Sequence, residues 1–313
     1  MNKTNLPIGR YRLLCQAEDD IQLPEYSGSA WRGLFGHALK QAVCVTREPK
    51  CDACLLYRNC VYSYVFETPP PDNTEIMRKY PAAPHPYVLR PDPNQATSVK
   101  KGDSLSVYLT LIGKANQHLP YLLHSFEKAG ERGLGASQGR FKVCSLLQQK
   151  SDDWAEVYKQ GESLQAFDPV PNAIPKCPQG QVMLRFNTPL RLRLQNREVT
   201  SKTFTFYALF SVLMRRISML HAFHTDQSLA LDFKALSSAA REVGLLDNTL
   251  RWHDWARYSS RQSSLVKMGG LVGEITLEGA ILEPFWELLW LGQFVQVGKG
   301  TVMGLGHYTI SHH

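Results

Sequence analysis

Residues 291–310 have the sequence LGQFVQVGKGTVMGLGHYTI, in which a helix-like run meets a glycine-rich loop and then a strand-like segment. The earlier stretch AGERGLGASQGRFKV, at residues 129–143, has the same order of features. Glycine is favoured in such loops where the backbone turns with positive φ or where another group comes very close. The repetition therefore predicts one small fold used twice, with a closely approached loop at the same place in each copy.

Hydrophobic periodicity elsewhere agrees with a duplicated fold. Strand-like alternation at 11–17 and 104–113 surrounds a helix capped by Ser29, and a second helix is predicted near 116–129. The second half of the chain repeats the order of strand, helix, strand, helix, glycine loop and strand. This order is typical of the β-α-β-β-α-β unit, so the predicted fold class is α+β with tandem ferredoxin-like domains, which are also called RRM-like.

Proline-rich segments divide the chain into these two predicted domains. The polar stretch at 151–180 is interpreted as a link between an N-terminal domain at 1–175 and a C-terminal domain at 176–313. The passage from Pro69 to Pro93 is predicted to be irregular surface structure for the same reason.

Composition narrows the class of protein. The 313 residues are 43% hydrophobic and 20% charged, which is typical of a globular chain with room for about two domains. The net charge of +7 suits a phosphate-rich partner, although a generic basic protein has the same balance. The start of the chain lacks the apolar core of a signal peptide, and no apolar run reaches the ~20 residues of a membrane span. We expect a cytoplasmic protein with reduced thiols.

The glycine loop at 298–306 fits neither of two familiar phosphate motifs. A P-loop needs Ser or Thr directly after its lysine, and a dinucleotide fingerprint lies between a strand and a helix. Here Lys299 precedes Gly300, and the loop leads into a strand. The lysine and the net charge favour a polyanionic ligand, and the alternative is a loop that only turns a corner.

Four of the seven cysteines cluster within residues 44–60 as C-x6-C-x2-C-x5-C. They are Cys44, Cys51, Cys54 and Cys60. The central C-x2-C suits a tetrahedral metal, and four thiolates with no open position describe a structural zinc site rather than a catalytic one. An iron–sulfur cluster and unligated thiols are the alternatives. The predicted role is to brace the loop that follows the first helix.

The first helix has an unusual polar side. Gly33, Gly36, His37, Lys40 and Gln41 share this face at helical spacing. Glycine within a helix costs about 1 kcal/mol relative to alanine, so a merely solvated face would not favour it. We predict that His37 exchanges a proton near neutral pH and that Lys40 stabilises negative charge on a phosphate. The alternative is a surface histidine beside a lysine.

Residues 251–270 interleave aromatic and basic side chains in the sequence RWHDWARYSSRQSSLVKMGG. Aromatic rings stack on unpaired bases and arginines bind phosphates, so this pattern suits RNA. The alternative is a tryptophan-anchored core segment with arginines directed outward. The predicted RNA-binding residues are Arg32, Arg191, Arg193, Arg257, Arg261, Lys267, Gly298, Lys299, Gly300 and Thr301.

Several motifs occur in the order of a known family. They are GSAWRGLFGHALK at 28–40, the cysteine cluster, CVYSYVFE at 60–67, the run RWHDWARYSSRQ to LVGEITLEG at 251–279, and VGKGTVMGLGHY at 297–308. Together they resemble the CRISPR repeat-processing endoribonucleases of the RAMP superfamily.

That resemblance implies an enzyme that binds the repeat of a precursor CRISPR RNA and cuts it without a catalytic metal. The upstream 2′-hydroxyl would attack the neighbouring phosphorus and leave a 2′,3′-cyclic phosphate and a 5′-hydroxyl. By the same resemblance His37 is the acid or base, and Tyr26 and Lys40 are the nearest matches to a tyrosine and a lysine of some family members. The alternatives are an RNA-binding subunit of a CRISPR effector complex that does not cut, and a metal-cluster protein with unrelated chemistry.

The implied partners follow from the same family. They are repeat RNA, CRISPR effector-complex or spacer-acquisition proteins, and a second copy of the chain in a homodimer. A membrane is not among them.

Overall fold

The computed structural model describes residues 4–70, 83–169, 173–227, 229–259 and 264–312, and for residues 256–259 and 264–267 it describes the backbone alone. The chain forms two compact units. The N-terminal unit comprises Leu6–Pro171 and Met219–Asp226, and the C-terminal unit comprises Met1–Asn5, Asn172–Ser218 and Gln227–His313. Each unit therefore includes one short stretch from the other part of the chain.

The N-terminal unit combines two helices with a sheet. Its elements are β1 (Ile8–Ala17), β2 (Ile21–Gln22), α1 (Gly28–Val43), β3 (Tyr87–Pro91), β4 (Ser98–Val99), β5 (Ser104–Ile112), α2 (Leu119–Arg132), β6 (Phe141–Lys150) and β7 (Asp153–Lys159). Five strands form an antiparallel sheet in the order β3-β5-β1-β6-β7, and β2 pairs with β4. Without the edge strand β7, this is the β-α-β-β-α-β order of a ferredoxin-like fold.

The central strand β1 shows how the sequence pattern produces this layering. Tyr11 and Leu13 are buried, whereas Arg10 and Arg12 between them are only partly buried, because successive strand side chains point to opposite faces. The helices add aromatic rings to the core. Trp31 of α1 meets Phe141 of β6 edge to face at 5.4 Å between ring centres. This core fixes the orientation of α1.

The C-terminal unit repeats the arrangement with insertions. Its elements are β8 (Gln181–Leu190), β9 (Arg193–Leu194), β10 (Arg197–Glu198), α3 (Phe206–His224), α4 (Phe233–Glu242), β11 (Asp247–Asn248), β12 (Arg251–His253), β13 (Ala256–Ser259), β14 (Ser264–Lys267), β15 (Gly270–Glu278), α5 (Trp286–Val295) and β16 (Tyr308–His312). The sheet has the order β11-β15-β8-β16, and β12 also pairs with β15. The predicted α+β fold with tandem ferredoxin-like domains is confirmed. No helix in the described part of the chain is long and apolar enough to cross a membrane.

Three local predictions were wrong. The proline-rich passage from Pro69 to Pro93 contains the buried strand β3. Residues 71–82 of this passage lie outside the described part of the chain. The predicted link between the halves contains β7, an edge strand in which only Val157 is buried. Helix α1 begins at Gly28 after Ser27, so Ser29 lies inside the helix and does not cap it.

The glycine loops pack tightly against other parts of the backbone. Gly306 has φ 72°, and a Cβ atom there would lie 1.8 Å from the carbonyl oxygen of Val297. Gly298 has φ 90°, and its Cβ would lie 2.5 Å from the carbonyl oxygen of Arg191. Gly133 in the first loop is equally confined, with φ 87° and a backbone carbonyl 2.0 Å from the Cβ position. The close approach of neighbouring backbone therefore explains why glycine is needed at these positions, and no bound ligand has to be invoked.

Candidate functional site

His37 lies on the exposed side of α1. Gly33, one turn before it, and Gln41, one turn after it, are exposed as well. The helix contains Arg32 and Lys40 but no Asp or Glu, so all of its charged side chains are basic. Within the described ranges, His37 makes no hydrogen bond or ion pair. Its imidazole is therefore accessible to a bound molecule and able to exchange a proton with it.

Lys40 follows His37 by one turn but is held toward the loop after the helix. Its ammonium donates a hydrogen bond to the carbonyl oxygen of Pro49 at 3.3 Å. The same nitrogen lies 5.7 Å from the centre of the Tyr62 ring, within cation–π range. The structure thus gives Lys40 protein partners beside the cysteine-rich loop, while its role toward a phosphate stays a prediction.

Arg132 is a cation near this face that the sequence pattern did not single out. It is the last residue of α2, and its guanidinium donates to the side-chain oxygen of Gln41 at 2.7 Å. Gln41 lies one helical turn from His37, so the hydrogen bond holds a positive charge beside the exposed face of α1. Arg132 and Gln41 are 91 residues apart in the chain, and only packing of the two helices brings them together.

The two glycines of α1 have different explanations. Gly36 is buried, and a Cβ there would lie 2.3 Å from a ring carbon of Phe66. The guanidinium of Arg32 covers the same ring at 4.3 Å from its centre. Gly36 therefore makes room for an aromatic side chain and does not clear space beside His37. Gly33 has no atom within 4 Å of its Cβ position, so it leaves open space on the exposed face.

This contrast predicts opposite effects of two alanine substitutions. Gly33→Ala should raise the free energy of unfolding by about 1 kcal/mol, because alanine favours the helix and the site is open. Gly36→Ala should lower it by about 1–3 kcal/mol, because the Phe66 ring must move to accommodate the methyl group. Urea unfolding of both variants measures the difference, and changes of the same sign would contradict this packing.

Tyr26 precedes α1 and is partly buried, whereas His37 is exposed. Burial raises the pKa of the Tyr26 hydroxyl, and the positive charge of Arg90 on β3 partly opposes that rise. A phenol with a raised pKa is a poor base at neutral pH but keeps its proton as a hydrogen-bond donor. A catalytic role for Tyr26 stays a prediction.

The glycine loop of the C-terminal unit presents a cluster of positive charges. Lys299 is exposed, and its backbone N–H donates to the carbonyl oxygen of Arg191 at 3.0 Å. Burial lowers the pKa of Lys299, and the charges of Arg193 and Arg191 lower it further, while Glu198 opposes them. Arg191 also forms an ion pair with Glu198. The charges of Arg191 and Arg193 therefore act against that of Lys299, and an anion bound beside these side chains would offset them.

The other predicted loop residues serve the loop itself. Thr301 is only 5% exposed, so little of its side chain can reach a ligand. Gly300 has φ 79° and precedes the short helical turn Thr301–Met303. The buried amide of Gln296, oriented so that both of its ends are satisfied, donates to the carbonyl oxygens of Leu305 at 2.8 Å and Thr301 at 3.2 Å. Gln296 thus braces the loop that presents Lys299, a role that no sequence motif signalled.

The aromatic and basic segment at 251–270 forms short strands. Arg251 and His253 of β12 are exposed, and the indole nitrogen of Trp252 donates to Asp254 at 2.7 Å. Three predicted RNA-binding residues cannot be placed further, because Arg261 and the side chains of Arg257 and Lys267 lie outside the described part of the chain.

The four clustered cysteines follow α1 and surround one cavity. All four are free thiols of intermediate burial. Over the described ranges, no three His, Cys, Asp or Glu side chains converge as metal ligands do. The predicted zinc site therefore stays a prediction at this point.

Comparison with protein families assigns both parts of the chain. Residues 184–308 match the model of the CRISPR-associated endoribonuclease Cas6, and residues 6–171 match the model named AF_1859_N, an N-terminal domain. An uncharacterized protein from Archaeoglobus fulgidus is 27% identical over 124 residues, which are 40% of this chain and 40% of that protein. This chain thus matches well under two thirds of the length of that relative.

Solved structures share the fold over nearly the whole chain. Thermus thermophilus Cas6 in its product complex gives a TM-score of 0.58 at 17% identity, over 97% of this chain and 100% of that one. A partial Cas6-RT-Cas1--Cas2 complex gives a TM-score of 0.59 at 14% identity, over 99% of this chain and 47% of that one. At these identities the likeness shows the fold alone.

Proposed function

Because the chain belongs to the family of CRISPR repeat-processing endoribonucleases, we propose that it binds precursor CRISPR RNA and cleaves it within the repeat. The observation that carries the proposal is the exposed imidazole of His37 on a helix without acidic residues. A positively charged helix face attracts a phosphodiester, and an accessible histidine can transfer the protons that its cleavage requires.

The proposed chemistry is a transesterification within the RNA. The 2′-oxygen of one nucleotide loses its proton and bonds to the adjacent phosphorus, and the bond from phosphorus to the 5′-oxygen of the next nucleotide breaks. The 5′-oxygen takes up a proton, so the products carry a 2′,3′-cyclic phosphate and a 5′-hydroxyl. His37 would supply one of the two proton transfers, and Arg132 or Lys40 would stabilise charge on the phosphate oxygens. No step needs a catalytic metal.

A substrate change tests the mechanism without altering the protein. Repeat RNA with a single 2′-deoxynucleotide upstream of the cleaved bond should bind normally and remain intact in a buffer without divalent metals. The all-ribose RNA should yield a fragment whose 3′ end resists ligation until the cyclic phosphate is opened and the remaining phosphate is removed. Cleavage of the deoxy-substituted RNA at the same bond would show that a different nucleophile, such as water, attacks the phosphorus.

The charge cluster of the glycine loop is proposed to bind RNA phosphates. Lys299→Ala should weaken RNA binding by a similar factor for different sequences and reduce the slope of log affinity against log salt by about 1. Lys234→Ala is the matched control, because Lys234 is an exposed lysine on α4 of the same unit. Filter binding at several salt concentrations measures both variants. Equal losses for the two would mean that only net charge matters.

A second candidate function is RNA binding without cleavage. It is favoured by the partners of Lys40, whose ammonium contacts Pro49 and Tyr62 instead of standing free beside His37. The same assays separate the two functions. Retarded but intact all-ribose RNA would support the binding subunit, whereas product formation supports the enzyme.

Protein partners are proposed from the shared fold. One structure with this fold is named as a Cas6-RT-Cas1--Cas2 complex, so we propose spacer-acquisition proteins as candidates beside CRISPR effector-complex subunits. Homodimerisation is tested by sedimentation of the purified chain with and without repeat RNA.

A further inference from the structure

The cysteine-rich loop at 44–60 has no hydrophobic core of its own. No residue in it is buried, and its Val45 and Leu55 are 77% and 93% exposed. Its only helix or strand is the helical turn Cys51–Ala53. Irregular segments of this length are uncommon inside compact domains, and small units without a core are usually held by disulfides or metals. Something other than apolar packing must therefore stabilise this conformation.

Disulfides do not supply that stabilisation, because all four thiols of the loop are free. The thiols line a single cavity of about 20 Å³. A cavity holds one water-sized particle when its volume is about 10–15 Å³ by the same measure, so this space suits one ion and is small for a cluster of several iron and sulfur atoms. The hydroxyl of Thr46 lies 3.2 Å from the sulfur of Cys54 and 4.0 Å from that of Cys44.

The backbone of the loop makes two consecutive tight turns at the C-x2-C pair. The N–H of Cys54 donates to the carbonyl oxygen of Cys51 at 3.1 Å, and the N–H of Tyr57 donates to that of Cys54 at 2.9 Å. These consecutive turns present both sulfurs of the C-x2-C pair to the same cavity. In the described part of the chain the sulfurs line the cavity without converging on one point, so the cysteine side chains would have to change rotamer to bind an ion.

Charge in the surroundings suits a tetrathiolate site. Four thiolates around a divalent metal carry a net negative charge, which a nearby cation offsets. The ammonium of Lys40 is such a cation, and it is tied to the loop through a hydrogen bond to the carbonyl oxygen of Pro49 at 3.3 Å. This gives Lys40 a role that does not depend on RNA.

We propose that the four cysteines of the loop bind one structural Zn²⁺ ion, which fixes the end of α1 that carries His37 and Lys40. Cys44 directly follows Val43, the last residue of α1, and its N–H donates to the carbonyl oxygen of Lys40, so the metal would join the last turn of the helix to the loop. The ion supplies folding energy that the loop cannot obtain from apolar burial. It takes no part in cleavage.

Metal analysis of the purified full chain tests the proposal directly. We expect about one zinc per chain, with iron and acid-labile sulfide absent. The double variant Cys51→Ser and Cys54→Ser should lose at least about nine tenths of the zinc. Cys144→Ser is the matched control, because Cys144 is a partly buried free thiol on β6 outside the loop, and it should keep the full content.

A second measurement covers the case in which the double variant fails to fold. Wild-type protein loaded with Co²⁺ in place of zinc should show the visible bands of a tetrahedral ion and strong thiolate-to-cobalt charge transfer. Chelation should then expose residues 44–60 to proteolysis before the rest of the chain. Zinc-free folded wild-type protein, a full iron–sulfur complement, or cobalt spectra without thiolate bands would each overturn the proposal. None of these results depends on whether the protein cleaves RNA.

Discussion

Replacing His37 with alanine is expected to lower the rate of repeat-RNA cleavage by about 10²–10⁴-fold, which is the usual contribution of a positioned acid or base. RNA affinity and thermal stability should change little, because the His37 side chain is exposed and makes no hydrogen bond in the described part of the chain. Single-turnover kinetics with protein in excess over RNA measure the chemical step separately from product release.

Two other histidine variants make this prediction specific. His124→Ala removes a histidine from α2 in the same unit, where its side chain is 56% exposed and lies beside Glu127. It should cleave RNA at the wild-type rate. His253→Ala removes the exposed histidine of the basic and aromatic segment. If that variant lost cleavage while His37→Ala kept it, the site would have to be moved to the C-terminal unit.

The duplicated fold was predictable because its strongest elements carry local signals. The alternation of β1 and β5 and the periodicity of α1 and α2 follow directly from the residues that they bury. β3 was missed because it is short and lies among prolines, and its burial comes from pairing with β5 in the sheet. β7 was missed because an edge strand with polar positions has little periodicity.

The site was predictable only where one helix contains it. His37 and Lys40 are spaced by one turn, so the sequence already places them together. Gly36 is required by the ring of Phe66, which lies thirty positions later in the sequence and leaves no room for a side chain at Gly36. The hydrogen-bond partner of Gln41 is Arg132, at the end of another helix. Contacts of this kind depend on tertiary packing, which no local pattern encodes. The helix pattern that singles out His37 therefore did not predict the neighbours of this residue.

The glycine loop of the C-terminal unit depends on Gly306, which lies against the backbone of Val297. Gly306→Ala should lower the free energy of unfolding of that unit by roughly 3 kcal/mol or more, since it combines a strained φ of 72° with a Cβ 1.8 Å from the carbonyl oxygen of Val297. The loop cannot yield easily, because the N–H of Gly306 donates to the carbonyl oxygen of Pro189 at 3.1 Å and its own carbonyl accepts from Val297 at 3.2 Å.

Alanine variants at two further glycines separate the cost of a positive φ from the cost of steric overlap with the added methyl group. Gly102 has φ 92° but open space around its Cβ position, so Gly102→Ala should cost only about 1 kcal/mol. Gly244 has open space and no positive φ, so Gly244→Ala should stay within about 0.5 kcal/mol of wild type. Urea unfolding and RNA binding are measured for all three. Because Lys299 lies on the loop that Gly306 closes, only Gly306→Ala should also weaken RNA binding. If Gly306→Ala were as stable as wild type, the loop would not pack on the carbonyl oxygen of Val297 in this way.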